Sequence, residues 1–386
     1  MEFKEYRFDE VTINFDKKRV PISGAQRKKR QGKYRYYGAQ GIIDYIDDFI
    51  FDGTYLLIAE DGENLKSQKQ KIAQVVDGQF WVNNHAHIVQ GNELCDTRYL
   101  CYLLNSMDLS GYITGSAQPK LSQANLNSLI LHLPSIREQR TIVEYLYMFD
   151  KKISVNQQIN DNLQQQANAI FKHWFTNSPK LDSMTKVPLV DLCLVVTKGT
   201  TPTTLGKPFA SDGINFIKAE SILDSHTIDK NKFAFIDTET NGLLKRSIIC
   251  SGDIVFTIAG TIGRFALIDD SVLPANTNQA VAIIRADPKL VTPEYLYSFF
   301  LGNWHNDYYT KRIQQAVQAN LSLGTIKSLP IPLLLHRDML EYLGIISPII
   351  KMTKLNEHEI TRLENIRDTL LPRLMSGELD VSNFDI

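Results

Sequence analysis

Leu121-Ser122 opens a stretch closing in Asn127-Ser128-Leu129-Ile130-Leu131-His132-Leu133-Pro134, and 200 positions later Leu321-Ser322 opens one closing in Lys327-Ser328-Leu329-Pro330-Ile331-Pro332-Leu333-Leu334. In each copy a short strand-like run containing proline feeds a long helical pattern. The register persists: Asn156 matches Asn356, Leu163 matches Leu363, and Ile170-Phe171 matches Leu370-Leu371. Solenoid units repeat every 20–50 residues or so, so this longer period marks a duplicated domain-plus-helix. Such a chain is built to touch two similar targets.

The first helix has a defined start. Pro134 ends the preceding run, and Ser135-Ile136-Arg137-Glu138 forms a capping box. Residues at alternating spacings of four and three then make a seam: Ile142, Leu146, Phe149, Ile153, Asn156, Asn160, Leu163, Ala167, Ile170 and Trp174. Asn177-Ser178-Pro179 stops it. The second seam reads Tyr342, Ile346, Ile349, Thr353, Asn356, Ile360, Leu363, Arg367, Leu370 and Leu374, with Gly377 as the C′ residue. Pro348 is expected to delay regular helix until about Ser347 or later, and Pro372 to kink or fray the last turn. Two seams of equal length are expected to pack on each other, antiparallel, as a coiled coil. The polar positions Asn156 and Asn356 would fix its register.

The fold class is therefore α+β: two similar mixed α/β heads, each followed by a long helix. The divisions are 1–134 for the first head, 135–178 for its helix, 179–334 for the second head, and 335–386 for the distal helix and tail. In the second head, strands are expected within 251–260, 261–268 and 278–284. The first head echoes them at Phe51–Ala59 and Asn84–Val89. A short helix follows in each, at Tyr99–Leu104 and Tyr295–Phe300.

At 386 residues, with 43% hydrophobic and 22% charged residues, the composition is that of a soluble multidomain protein. Cys95, Cys101, Cys193 and Cys250 form no CxxC pair, and no apolar leader or spanning run is present, so a reducing cytoplasm suits the chain. Net charge is −1, but its distribution is uneven. From Lys17 to Arg35 there are nine Lys or Arg residues and no acid; Asp44, Asp47, Asp48 and Asp52 follow.

No reaction motif is present. A GxxxxGK[ST] phosphate loop, GxSxG and HExxH are all absent. Ala259-Gly260-Thr261-Ile262-Gly263-Arg264 reads as a turn. The Asn-Pro-Pro-aromatic tetrad of amino-methyltransferases is missing. His85 and His87 alternate on an expected strand and should share one face, but no third metal ligand lies nearby in sequence. No metal is expected.

The tandem plan, Leu133-Pro134-Ser135-Ile136-Arg137-Glu138-Gln139-Arg140, Val82-Asn83-Asn84-His85-Ala86-His87-Ile88 and the closing run Leu370–Leu379 together resemble the specificity subunit of type I restriction-modification enzymes. Arg337-Asp338-Met339-Leu340 departs from the expected Arg-Glu-Gln-Arg at the second helix. The resemblance implies that each head is a target recognition domain reading one half of a bipartite DNA site. The helices would set the spacer and dock two methyltransferase subunits. Those use S-adenosylmethionine to methylate adenine, and restriction subunits using ATP and magnesium join through the assembly. The chain itself would bind no cofactor and catalyse nothing.

On that reading, candidate base or phosphate contacts are Lys33, Tyr34, Arg35 and Tyr36 in the first head, and Lys198, Thr200, Thr201, Lys218 and Arg264 in the second. Lys311 and Arg312, just before the second repeat, join them. One rival reading is a two-headed scaffold that binds protein rather than DNA; another is an enzyme centred on His85 and His87.

Overall fold

A computed structural model describes residues 1–67, 70–115, 118–178, 184–313 and 320–382, with only the backbone described for Asp307 and for 311–313. The chain divides into two compact units, Met1–Ser154 with Ile360–Ile386, and Val155–Glu359. Both divisions fall inside the long helices Ile136–Phe171 and His336–Met375. Each unit thus holds one head and one end of each helix.

In the first unit a six-stranded sheet runs in the order Thr12–Asn14, Ala86–Gly91, Phe51–Ala59, Ala73–Val82, Gln31–Gly38, Gly41–Ile46. Neighbours are antiparallel except Gln31–Gly38 with Ala73–Val82, where Arg35, Tyr36 and Tyr37 lie opposite Phe80, Trp81 and Val82 in parallel. Strand alternation separates Leu56 and Ile58 on one side from Leu57 on the other. The helix Thr97–Ser106, capped by the Asp96 carboxylate, buries Tyr99, Leu100, Leu103 and Leu104 against the first side. Ile142, Leu146, Leu374 and Met375 from the long helices complete that core. Each such side chain contributes about 2 kcal/mol by leaving water.

The second unit repeats this order with one break. One four-stranded sheet runs Cys193–Lys198, Val281–Ala286, Ile254–Thr257, Phe265–Leu267; another runs Ala234–Ile236, Ile214–Ile217, Ala275–Thr277, Ile248–Ile249. Again the one parallel pair joins the outer part to the inner, Ile214–Ile217 with Ala275–Thr277. The long strand Ala73–Val82 of the first head corresponds to two short ones here, Phe265–Leu267 and Ala275–Thr277. A continuous sheet thereby becomes two. The helix Pro293–Leu301, capped by Thr292, packs on it as Thr97–Ser106 does in the first head.

The capping box at the first long helix is formed. The Glu138 carboxylate accepts from the Ser135 amide at 2.9 Å, and Ser135 Oγ accepts from the Glu138 amide at 3.4 Å. The helix closes through a π-helical turn at Lys172–Thr176, where Phe171 and Phe175 are buried against Phe299. The second helix corrects two expectations: it is not delayed by Pro348, and it does not fray at Pro372. It runs from His336, through Pro348, and past Pro372 to Met375. Pro348 is solvent-exposed, and the residue whose carbonyl its ring crowds, four positions earlier, is the exposed Gly344. The helix therefore absorbs proline without losing a buried hydrogen bond. Gly377, at φ +78°, ends the helix as expected, and the Phe3 ring would lie 2.6 Å from a Cβ there.

Within each unit the helical segments run antiparallel. In the first, Arg367 Nη1 donates to Asp150 Oδ1 at 2.7 Å, while Ser382, beyond the helix end, reaches Glu138. In the second, Asn356 lies opposite Asn160, and Tyr342 packs on Trp174 and Phe175. Ile142, Leu146, Ile153, Asn156 and Ile346 are buried, and Phe149, Leu163, Ile170, Ile349, Asn356, Ile360, Leu363 and Leu370 are half-buried. Repeat-equivalent positions need not match in chemistry: Asp150 and Arg367 correspond to Ile350 and Ala167. Among the described residues, no helix is long and apolar enough to cross a membrane.

Candidate nucleic-acid interface

The run of nine basic residues separates cleanly by residue type. All four arginines are committed within the fold. Arg19 bonds Glu60 at 2.8 Å and the Ala86 carbonyl at 2.8 Å. Arg27 donates to Asp44 at 2.9 Å and to the Ile22 carbonyl at 2.7 Å, and lies over the Tyr36 ring. Arg30 bonds Asp47 at 2.9 Å over the Trp81 ring. Arg35 lies over Tyr37 and donates to the Asp77 carbonyl. Of the acids that follow the run, Asp44 and Asp47 are thus arginine partners and Asp48 lies 3.9 Å from Arg30, while Asp52 accepts from Gln79. Hydrogen bonds from Gln31, the Tyr45 amide and Arg27 hold the Asp44 carboxyl below its ordinary range.

All five lysines remain outside this network. Lys17, Lys18, Lys28, Lys29 and Lys33 are exposed and have no ionic partner among the described residues. Lys28 and Lys29 end the short helix Gly24–Lys29, whose start is a Ser23–Gln26 capping box. Lys33 lies on a bulge over the Tyr34 ring, and Tyr34 packs on Phe49. Gly32 beside it has no room for a side chain: a Cβ would meet the Ile46 carbonyl oxygen at 2.4 Å. A lysine is a compact point charge suited to phosphate, whereas an arginine already forked onto aspartate has little left to give a base.

Of the first-head candidates, Lys33 is available and Tyr34 half-exposed. Arg35 is held by Asp77 and Tyr37. Tyr36 is a core residue rather than a reader. It is fully buried, and its hydroxyl oxygen accepts from the Ile22 amide at 2.9 Å. Strand alternation turns it under the helix Gly24–Lys29.

In the second head, Lys198, Thr200 and Thr201 are brought together with two residues that sequence reasoning missed. Arg246 donates to Thr200 Oγ1 at 3.4 Å, and Thr201 hydrogen-bonds Gln279. Gly199 permits this turn: a Cβ there would lie 1.9 Å from the Thr277 carbonyl oxygen. Lys218 lies apart, over Phe209 and 3.7 Å from Glu220. Arg264 is withdrawn by a two-pronged bond to Asp224, 2.7 Å on each arm, which also holds that carboxyl below its ordinary range. Lys311 and Arg312 fall in the helix Trp304–Ile313, but their side chains lie outside the described residues.

His85 and His87 do not share a face. His85 precedes the strand, is exposed, and pairs with Asp61 at 2.8 Å. His87 is buried between Asp16 at 2.6 Å and the Leu121 carbonyl at 2.9 Å. Burial would raise Asp16, yet hydrogen bonds from His87 and the Ile88 amide hold it below its ordinary range. Among the described residues no group of three His, Cys, Asp or Glu could hold a metal. Gln139, also buried, ties the loop before Thr97–Ser106 to the long helix by accepting from the Asp96 amide and donating to the Leu94 carbonyl, both at 2.9 Å. The Glu138-Gln139 pair is therefore structural bracing.

The sequence profile of the type I restriction modification DNA specificity domain matches the chain twice, over residues 1–165 and 182–365. A putative type I restriction enzyme specificity subunit of Haemophilus influenzae is 27% identical, covering 77% of this chain and 76% of that relative. The HindI specificity subunit of the same species is 25% identical over 85% and 84% of the two chains. In fold, the chain is similar to the crystal structure of the type I restriction-modification S subunit from M. genitalium, with TM-score 0.63, 15% identity and coverage of 97% and 96%.

Proposed function

The chain belongs to the type I restriction modification DNA specificity family, and we propose from that premise that each head reads one half of a bipartite duplex site. The observation that supports this most is the doubling itself. Two heads share a strand order but present different rims: Lys28, Lys29 and Lys33 in one, and Lys198, Arg246 and Gln279 in the other. Like scaffolds with unlike rims suit related, non-identical half-sites.

The long helices set the spacer and dock two methyltransferase subunits. Those bring S-adenosylmethionine and methylate adenine; restriction subunits that use ATP and magnesium join through the same assembly. This chain supplies the address for cytoplasmic chemistry done by its partners. Its near-neutral charge fits a division of labour in which the partners carry much of the phosphate contact.

Single-molecule sequencing of adenine methylation, with and without an intact copy of the chain, tests this. A two-part motif that vanishes on deletion is expected. An unchanged methylation map, with partner subunits expressed, would overturn the assignment in favour of a protein-binding scaffold.

A further inference from the structure

Three arginine side chains are described in the second head, and carboxylates hold two of them. Arg264 forks onto Asp224 at 2.7 Å on both arms. Arg285 forks onto Asp253 at 2.7 and 2.8 Å and also donates to the Ile248 carbonyl. Arg246 differs. It is exposed and has no ionic partner among the described residues. Its one hydrogen bond there is a long one, from Nη2 to Thr200 Oγ1 at 3.4 Å. A guanidinium carries five N–H donors, so most of this one's capacity remains available.

The surroundings of Arg246 are fixed. It lies in the turn Lys245–Ser247, which packs on the strand Cys193–Lys198. That strand runs into Gly199 and Thr200, and the Thr200 amide donates to the Thr277 carbonyl at 3.2 Å. Thr277 is fully buried, with its hydroxyl on the Ile217 carbonyl at 2.6 Å. The Thr200 hydroxyl is therefore carried on anchored backbone. Beside it, the Thr201 hydroxyl donates to Oε1 of the exposed Gln279. Lys198, two residues before Thr200, and Lys245, next to Arg246, are exposed and without an ionic partner among the described residues.

We propose that Arg246, aimed by Thr200, reads a guanine of the second head's half-site through O6 and N7 in the major groove. The inference rests on the reading of the head as a DNA-recognition domain. Arginine on guanine O6 and N7 is the commonest specific contact between a side chain and a base. It needs a planar fork with two neighbouring donors, and a guanidinium already forked onto a carboxylate has that pair engaged. The requirement rejects Arg264 and Arg285 and admits Arg246. Lys198 and Lys245 supply point charge for nearby phosphates.

The test uses the chain assembled with its partner subunits and the duplex identified by methylation mapping. The second head's half-site is the one that changes when residues 179–334 are exchanged for a relative's head. Guanines in it are replaced singly by 7-deazaguanine, which still pairs but lacks N7. The wild type is expected to lose about three- to tenfold in affinity at one position. Replacing that whole base pair should cost about 5- to 150-fold. Arg246→Ala should abolish the first penalty and relax the second. Arg246→Lys, which keeps the charge but not the fork, should restore little of either. Thr200→Val, which removes only the hydroxyl, should leave intermediate penalties. Unchanged readout of the other bases in that half-site shows that each variant is folded. The proposal is overturned if no 7-deazaguanine matters, or if the penalty persists in Arg246→Ala. It is also overturned if Arg246→Ala weakens binding to every sequence alike and lowers the salt slope by about 0.9, the mark of a phosphate contact. Full penalties in Thr200→Val would overturn the aiming role of Thr200. Absence of any sequence-selective binding by the wild type would instead overturn the DNA-recognition reading beneath it.

Discussion

Asn356 Nδ2 donates to Asn160 Oδ1 at 2.8 Å across the helix seam of the second unit, and Asn160 Nδ2 in turn reaches the Thr353 carbonyl at 3.4 Å. The repeat pairs Asn356 with Asn156, but the antiparallel helices pair it with Asn160. A polar pair in a seam costs stability and selects register. Replacing one partner leaves the other unsatisfied, so Asn356→Leu should destabilise the chain by roughly 1–3 kcal/mol. The double change Asn160→Leu, Asn356→Leu should recover most of that loss in thermal melts. It should also blur the spacer in the methylation motif, because a uniformly apolar seam can slip. A double variant as unstable as the single one would show that the amides do not act as a pair.

The split of the basic run by residue type makes a sharper prediction. Changing Lys28, Lys29 and Lys33 together to Ala should leave the melting temperature and the recognised bases unchanged. The slope of log affinity against log salt should fall by up to about 2.7, roughly 0.9 for each phosphate that is no longer neutralised. Arg27→Ala should do the reverse. It removes bonds to Asp44 and Ile22 and the stack on Tyr36, so stability should drop by about 1–3 kcal/mol. Equal effects of the two changes on the salt slope would contradict the division.

Those same arginines mark the limit of what is legible in the sequence. The duplication, both long helices, the Ser135–Glu138 cap and several strands follow from local spacing, and local spacing is what periodicity and capping report. Whether a basic side chain is free depends on partners far along the chain. Arg264 meets Asp224, 40 residues away, and Arg27 meets Asp44, 17 away. Tyr36 is misplaced from sequence because its strand is packed on both faces, where alternation no longer separates core from solvent. Pro348 is overread because a proline's cost depends on whether the acceptor it frees is buried, and here it faces water. The exposed edge Ile42–Tyr45 escapes notice because an apolar strand gives no sign in sequence of lying at a sheet's margin.

One buried histidine, His305, and one half-buried histidine, His226, give the second unit an acid sensitivity. Burial pushes His226 and His305 down to about 4. His305 sits among the rings of Phe256, Phe265 and Phe300, and His226 stacks on Phe265. Both are neutral in the folded state at pH values where the unfolded chain, with an ordinary value near 6.5, already binds a proton. Stability is therefore independent of these groups above about pH 6.5 and falls as pH drops from there towards 4. The loss should reach on the order of 2–3 kcal/mol for each histidine. His305→Phe should flatten the slope of stability against pH in that window while changing little at pH 8. A slope of the same size in the variant would assign the acid sensitivity to other groups.

Helix length can be tested as a ruler only if residues are added where they move something. Phe171 and Phe175 are buried in the second unit's core, so an insertion near Asn177 lies beyond that anchor and should leave the spacer unchanged. The chain passes between the units at 154/155 and 359/360, both within the long helices. One heptad added at each point preserves the seam on both sides, since the apolar pattern returns after seven residues. It lengthens each helix by about 10 Å, which corresponds to roughly three base pairs at 3.4 Å each. Methylation mapping of the doubly extended chain should return the same two half-sites with a spacer about three base pairs longer. Adding the heptad to one helix alone should abolish methylation, because the helices would then differ in length between the same anchors. A lengthened spacer from the Asn177 insertion, or an unchanged one from the paired heptads, would sink the ruler.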